Sequence, residues 1–224
     1  MQPQAEPFIA PVCHAQIDIL YADEHLLLIN KPERLLSLSG KHPQNIDSVH
    51  YRLIQDYPTA TLVHRLDFGT SGIMLIALNK QINAHLTKQF QVRSVEKAYI
   101  AILHGHLADD EGDIELPIAK HDFPLQKICH ITGKTAHTRY QVLERVPSVS
   151  AGCTTRVLFK PLSGRTHQLR IHSQALGHPI LGCDLYASDE AFIMAPRLLL
   201  HATRLEFDHP VSGERIKGLS PCPF

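Results

Sequence analysis

The residues best placed to do chemistry in this chain begin with Asp67, inside the stretch VHRLDFGTSG at 63–72. The carboxylate follows Arg65 by two residues and His64 by three, and precedes a turn-forming GTSG and the apolar run IMLIAL. An acid at a strand end, close to arginine and enclosed by apolar strands, would be held ionised by the cation while its desolvated oxygens stay free to attack an electrophilic carbon. On residue types alone the commoner role is a solvated or turn-capping carboxylate, so such an acid needs a partner. The segment RTHQLRIHSQAL at 165–176 offers candidates. Read as a helix entered through Gly164 and capped by Gly177, it puts Arg165, Thr166 and His167 in a first turn where free N–H groups and the helix dipole favour an anion. Arg165 and Arg170, five apart, diverge by about 140° at 3.6 residues per turn and cannot serve one contact. One division gives a phosphate to Arg165 and a carboxylate to Arg170; the bland alternative is a solvated, salt-bridged helix face.

Holding these groups in place requires a scaffold, and the chain supplies mostly short strands. IDILYADEHLLLINKP, from residue 17, reads as two strands joined at ADEH, with Pro32 turning the chain into a polar loop at 37–47. Residues 47–56 read as a short helix capped by Asp47. TLVHRL and GIMLIALN read as strands on either side of DFGTSG, the second apolar enough to be buried on both faces. Residues 80–93 read as a helix with Ile82, Leu86 and Phe90 on one stripe, followed by the strand KAYIAILHGHL. GDIELPIA, TAHTRYQVLERV, TTRVLFKPL, RLLLHATRLEF and GERIKG read as further strands, with turns at ITGK and HPVSG. Strands outnumber helices without regular alternation, which favours an α+β sheet with helices packed on it over a doubly wound parallel sheet. Residues 1–16, with three prolines and no periodicity, are expected to form an extended arm on a body spanning 17–224.

Composition narrows the class. A chain of 224 residues with 44% hydrophobic content can bury one large core or two lobes sharing a sheet. No leader-like segment or run near the roughly 20 apolar residues of a membrane span is present, so the cytoplasm is the expected location. Five scattered cysteines without a CxxC pair suggest neither a disulfide framework nor a zinc knuckle. Lys plus Arg equals Asp plus Glu at 22 each, but residues 109–115 are acidic while 156–170 carry Arg156, Lys160, Arg165 and Arg170 with no acid. A neutral total can therefore hide a basic face. His167 and His172 are five apart and no HExxH accompanies them, which argues against a metal site; neither GTSG nor LSGR is a GxSxG elbow, which argues against a serine hydrolase.

HRLDFGTSG, EKAYIA, GRTHQLRIHSQALGHPILGC and RLLLHA occur in this order over residues 16–222, and the set resembles the RluA-type pseudouridine synthases. The resemblance implies an α+β pseudouridine synthase fold: a mixed, largely antiparallel central sheet in two lobes with a central cleft. It implies an enzyme that isomerises uridine in RNA by exchanging the C1′–N1 bond for a C1′–C5 bond, with no external cofactor and no metal. Asp67 matches the catalytic aspartate, acting either by attack on C1′ or by assisting loss of the C2′ proton. Tyr99 matches the pocket tyrosine, and Arg170 the arginine that pairs with the aspartate.

A stacked uridine must be extruded at a cost of a few kcal/mol. Arg65 resembles the residue that fills the gap, with His64 adding a phosphate or stacking contact. Arg165, His167, Lys127, Lys134, Arg139, Arg156 and Lys160 are candidates for following the RNA backbone. The short arm leaves no room for the S4 domain of many relatives, so the expected partner is a stem-loop of 23S rRNA or a tRNA anticodon arm, bound by a monomer. The rival of another class is an RNA-binding or remodelling protein that keeps the fold without depending on catalysis.

Overall fold

The structure, a computed structural model, describes residues 8–147 and 152–224; residues 1–7 of the expected arm lie outside the described residues. In the first lobe, β1 (Asp18–Ala22) and β2 (Leu26–Lys31) form a hairpin turned at Asp23, whose carboxylate accepts from the His25 and Leu26 amides at 2.7 and 2.9 Å. Then come α1 (Val49–Asp56), β3 (Thr61–Leu62), β4 (Ser71–Ala77) and α2 (Lys80–Gln91). The chain continues through β5 (Glu96–His104), β6 (Glu111–Glu115), β7 (Ile118–Lys120), β8 (Gln126–Ile128), β9 (His137–Val146) and β10 (Thr154–Pro161). It closes with α3 (Gln168–Ala175), α4 (Asp189–Ile193), β11 (Leu200–Asp208) and β12 (Arg215–Leu219).

Ten strands make one sheet with the path β1-β2-β4-β11-β5-β10-β9-β6, to which β3 and β12 add as side pairs; β7 and β8 form a separate hairpin. Every ladder is antiparallel except β4–β11, where only Ser71–His201 and Ala202–Gly72 are in register. That short parallel seam joins two cores. One gathers β2, β4, α1 and α2 around Leu27, Met74, Ile76 and Leu86; the other gathers β5, β10 and α3 around Leu103, Phe159 and Ile171. Tyr99 packs against both. Gly72 makes the seam possible: its φ is +117°, and a Cβ there would lie 2.2 Å from the Ala202 carbonyl oxygen. Among the described residues no helix is long and apolar enough to cross a membrane.

Three local expectations shift. Ser48, not Asp47, caps α1, its hydroxyl accepting from the Tyr51 amide at 3.1 Å, while Asp47 binds Arg52. TLVHRL is strand only at Thr61–Leu62, because beyond it the 63–70 loop leaves the β4 ladder. The helix expected at 165–176 starts at Gln168, since His167 adopts a left-handed φ of 56°. The Gln168 side chain instead folds back, accepting from the Arg165 amide at 3.0 Å and the Ser163 hydroxyl at 2.8 Å. Arg165, Thr166 and His167 therefore form a turn, not a helical anion site; Gly177, at φ +80°, ends the helix as its glycine cap should.

Candidate active site

Asp67 sits in the loop between β3 and β4, at the mouth of the seam. The loop is held by buried polar groups: Ser37 Oγ donates to the Leu66 carbonyl at 2.7 Å and accepts from its amide at 3.2 Å. Lys31, at the end of β2 and fully buried, points Nζ at the carbonyls of Pro32 (2.9 Å), Phe68 (3.4 Å) and Thr70 (2.8 Å). Burial pulls the Lys31 amine down to about 7, against the opposing attraction of Asp67. Phe8, from the arm, meets the Phe68 ring edge-on with centroids 5.3 Å apart.

Across the seam, α3 brings Arg170 within 4.0 Å of the Asp67 carboxylate. Arg170 is 5% exposed and Asp67 31%, so the carboxylate stands in front with the guanidinium behind it. Arg170 also pairs with Asp184, donates to Cys183 Sγ at 3.2 Å and lies over the Tyr186 ring at 5.2 Å. Burial opposes this cation, but Cys183, Asp67 and Asp184 outweigh it and raise it above the ordinary arginine value. His167 Nδ1 shares a 2.7 Å hydrogen bond with the Tyr186 hydroxyl, which accepts from the Gln126 amide at 3.0 Å. Tyr99, on β5 beneath the loop, is pushed well above an ordinary phenol by burial and then by the Asp67 charge. The protonated hydroxyl is thus the favoured form.

The structure brings Asp67, Tyr99, Arg170 and His167 to one site, with Arg65 exposed on the same loop as Asp67. His64 is different: Nε2 accepts the Leu75 amide at 3.0 Å and the ring stacks on Phe90, centroids 4.9 Å apart. Burial, then the nearby Lys97 charge, pulls its imidazole down to about 3. A neutral, internally bonded ring offers a phosphate little, which corrects the expectation of an RNA contact there. Arg156 is likewise turned away, donating to the Phe224 carbonyl at 2.7 Å. Arg139 pairs with Asp113 of the acidic stretch at 3.1 Å. Lys160 is exposed and Arg165 half-buried near the cleft; exposed Lys127 and Lys134 belong to the β7–β8 hairpin and its return. Ser71 and His201 lie 2.9 Å apart, but both are buried and Ser71 Oγ also accepts from Arg197 at 2.6 Å, so this pair presents no free nucleophile.

A carboxylate backed by a buried guanidinium, a protonated tyrosine below and an exposed arginine beside it suit attack on, or deprotonation of, a sugar under an aromatic base. The family model described as RNA pseudouridylate synthase matches residues 25–175, which span every element of the site up to α3. The chain belongs to the RNA pseudouridylate synthase family. The synthase is 47% identical over 208 residues to the dual-specificity RNA pseudouridine synthase RluA of Escherichia coli K12, covering 92% of this chain and 93% of that one. It is 49% identical over 197 residues to the protein of the same name from Yersinia pestis, covering 87% and 94%. Among solved structures, human RNA pseudouridylate synthase domain containing 1 superposes with a TM-score of 0.80 at 32% identity, over 96% of the synthase and 86% of that chain. The expected α+β fold and enzyme class therefore hold.

Four side chains of the synthase site escaped the sequence reading: Lys31, Asp184, Tyr186 and Lys97. Lys31 left a signal, a lysine closing the apolar run LLLIN just before a proline, and Lys97 stands on β5 inside EKAYIA. Asp184 and Tyr186 sit on a loop between α3 and α4 whose sequence carries no period.

Proposed function

We propose that this cleft isomerises uridines presented by folded stem-loops of 23S rRNA and tRNA, with Asp67 as the group that acts on the ribose. The observation that carries the reading is the Asp67–Arg170 pair: a cleft-facing carboxylate 4.0 Å from a buried guanidinium. The C1′–N1 bond breaks, the uracil turns and C5 bonds to C1′, with C5 giving up its proton and N1 taking one, Asp67 either attacking C1′ and being released again or taking and returning the C2′ proton. All bonds exchanged belong to uridine, so no external redox or group-transfer cofactor is called for. Tyr99 supplies a ring for the uracil to stack on. Its raised pKa favours a hydrogen-bond donor over a base that removes the C5 proton. Arg65 enters the stack left by the flipped nucleotide, which offsets part of the few kcal/mol of unstacking. His167, tied to Tyr186, lines the same cleft and contacts the RNA beside the target. The dual specificity named for the bacterial relatives supports more than one RNA class. The sheet that runs unbroken between both cores supports reading 17–224 as one catalytic domain, which we take to act as a cytoplasmic monomer.

The test is Asp67→Asn on a uridine-containing stem-loop. Pseudouridine formation should fall by at least about 10³-fold while RNA binding stays within a few-fold; equal turnover by the variant overturns the assignment. Pseudouridine maps of total RNA from cells with and without the protein then identify the target uridines, and an unchanged rRNA map would remove the 23S claim.

A further inference from the structure

The EKAYIA motif contains a second polar residue whose purpose the chemistry leaves unexplained. Lys97 lies two residues before Tyr99 on β5, and the alternation of a strand puts both on the same face. Its Nζ points at the Ser163 carbonyl, 3.4 Å away, and meets no carboxylate among the described residues. Burial, then the nearby Arg93 cation, pulls Lys97 down to about 8. Two cations held close together without an acid between them are an arrangement that an anion stabilises. Lys97 and Arg93 line a groove of ≈ 610 Å³ that also takes in Lys160, Arg165 and Arg204, with Glu96 the one carboxylate on its wall. Glu96 is itself bound to Arg215 at 3.0 Å, and Arg204 faces Glu206 at 3.5 Å. The groove does not include Asp67, but its residues are joined to the site along the chain: Lys97 and Tyr99 share β5, and Arg165 lies two residues before His167.

We infer that this groove, floored by Lys97 and walled by Arg93, Lys160 and Arg165, is an RNA-backbone site that holds phosphodiesters flanking the extruded nucleotide, separate from the pocket that takes the base. It rests on RNA being the substrate. Depth selects the ligand: a partly desolvated ammonium close to the Arg93 cation favours a compact anion over a flat base. Arg93 lies in the α2–β5 turn at a left-handed φ of 62° and is exposed on the groove wall.

The test is the salt dependence of stem-loop binding to the full chain, by fluorescence anisotropy between 50 and 200 mM KCl, for wild type, Lys97→Gln, Lys97→Arg and Arg93→Asn. Asn tolerates the left-handed turn, so the rim variant reports even if Lys97→Gln fails to fold. Each charge-removing variant should weaken binding about 3–10-fold and shallow the slope of log K against log salt by roughly 0.7–0.9, the release expected for one phosphate. Lys97→Arg should restore both, and the loss should be read in KM. Unchanged slopes in folded Lys97→Gln and Arg93→Asn overturn the inference, as does a loss confined to the rate at saturating RNA. A flat salt response of the wild type would instead strike at RNA binding itself, which separates the two failures.

Discussion

The two lobes hold their halves of the active pair by different means. The first secures Asp67 through the backbone: Lys31 and Ser37 grip loop carbonyls and an amide, and Gly72 lets β4 approach β11 where any side chain would collide. The second secures Arg170 through side chains, with Asp184, Cys183 and Tyr186 surrounding one guanidinium. A backbone-held group has few substitutes, because every peptide of the loop moves with it. A side-chain-held group has several partners, and losing one leaves the others. The lobes should therefore respond unequally to substitution.

The largest effect is expected at the seam. Gly72→Ala places a Cβ 2.2 Å from the Ala202 carbonyl oxygen at a φ of +117°. It should cost about 4 kcal/mol or more, seen in calorimetry as a Tm lower by roughly 8–16 °C for a chain of this size. A Tm within two degrees of wild type would mean that the seam yields easily and that the backbone is not what holds Asp67.

Lys31→Met comes next. Three carbonyl oxygens lose their donor, the loop shifts, and turnover should drop about 10²-fold, as misplacement by an ångström does elsewhere. The variant also carries a pH signature. Burial pulls folded Lys31 down to about 7 while an exposed lysine in the unfolded chain keeps its ordinary 10.5, so between these limits the unfolded chain binds the extra proton. Wild-type stability relative to Lys31→Met should therefore rise as pH goes from about 7 toward 10, by at most about 1.4 kcal/mol per unit. Urea melts at three pH values in that window decide it; a difference that is flat or falls with pH contradicts the buried amine.

Asp184→Asn should do least. Asp184 is 64% exposed, and Arg170 retains Asp67, Cys183 and Tyr186. A fall of about threefold in kcat/KM is expected, in line with the under 1 kcal/mol of a typical exposed pair. A 100-fold fall in single-turnover rate would show that the second lobe, too, depends on a single contact.

Much of the scaffold was legible because its signals are local. The apolar run at 73–77, the Ile82–Leu86–Phe90 stripe and the glycine at 177 each declare an element within a few residues, and the structure has them as β4, α2 and the end of α3. Misreadings arose where a local signal met a tertiary demand. RTHQLR is a sound helix start by pattern, yet Gln168 spends its side chain on Ser163 and Arg165 and His167 turns left-handed toward Tyr186. His64, three residues before Asp67, reads as an RNA contact, but the Leu75 amide and the Phe90 ring occupy it.

By itself, then, the sequence determined the longer strands and helices, that Asp67 precedes a glycine turn leading into a buried strand, and, through the motif set, the family of reaction. Such features depend on neighbours along the chain, where composition and period act directly. The tertiary structure alone decided that Lys31 lies under the loop, that Asp184 shares Arg170, and that Lys97 opens onto a basic groove. Those meetings join residues 14 positions apart for Arg170 and Asp184 and 39 for Lys31 and Thr70, and they are set by how the elements pack, which no short stretch of chain encodes.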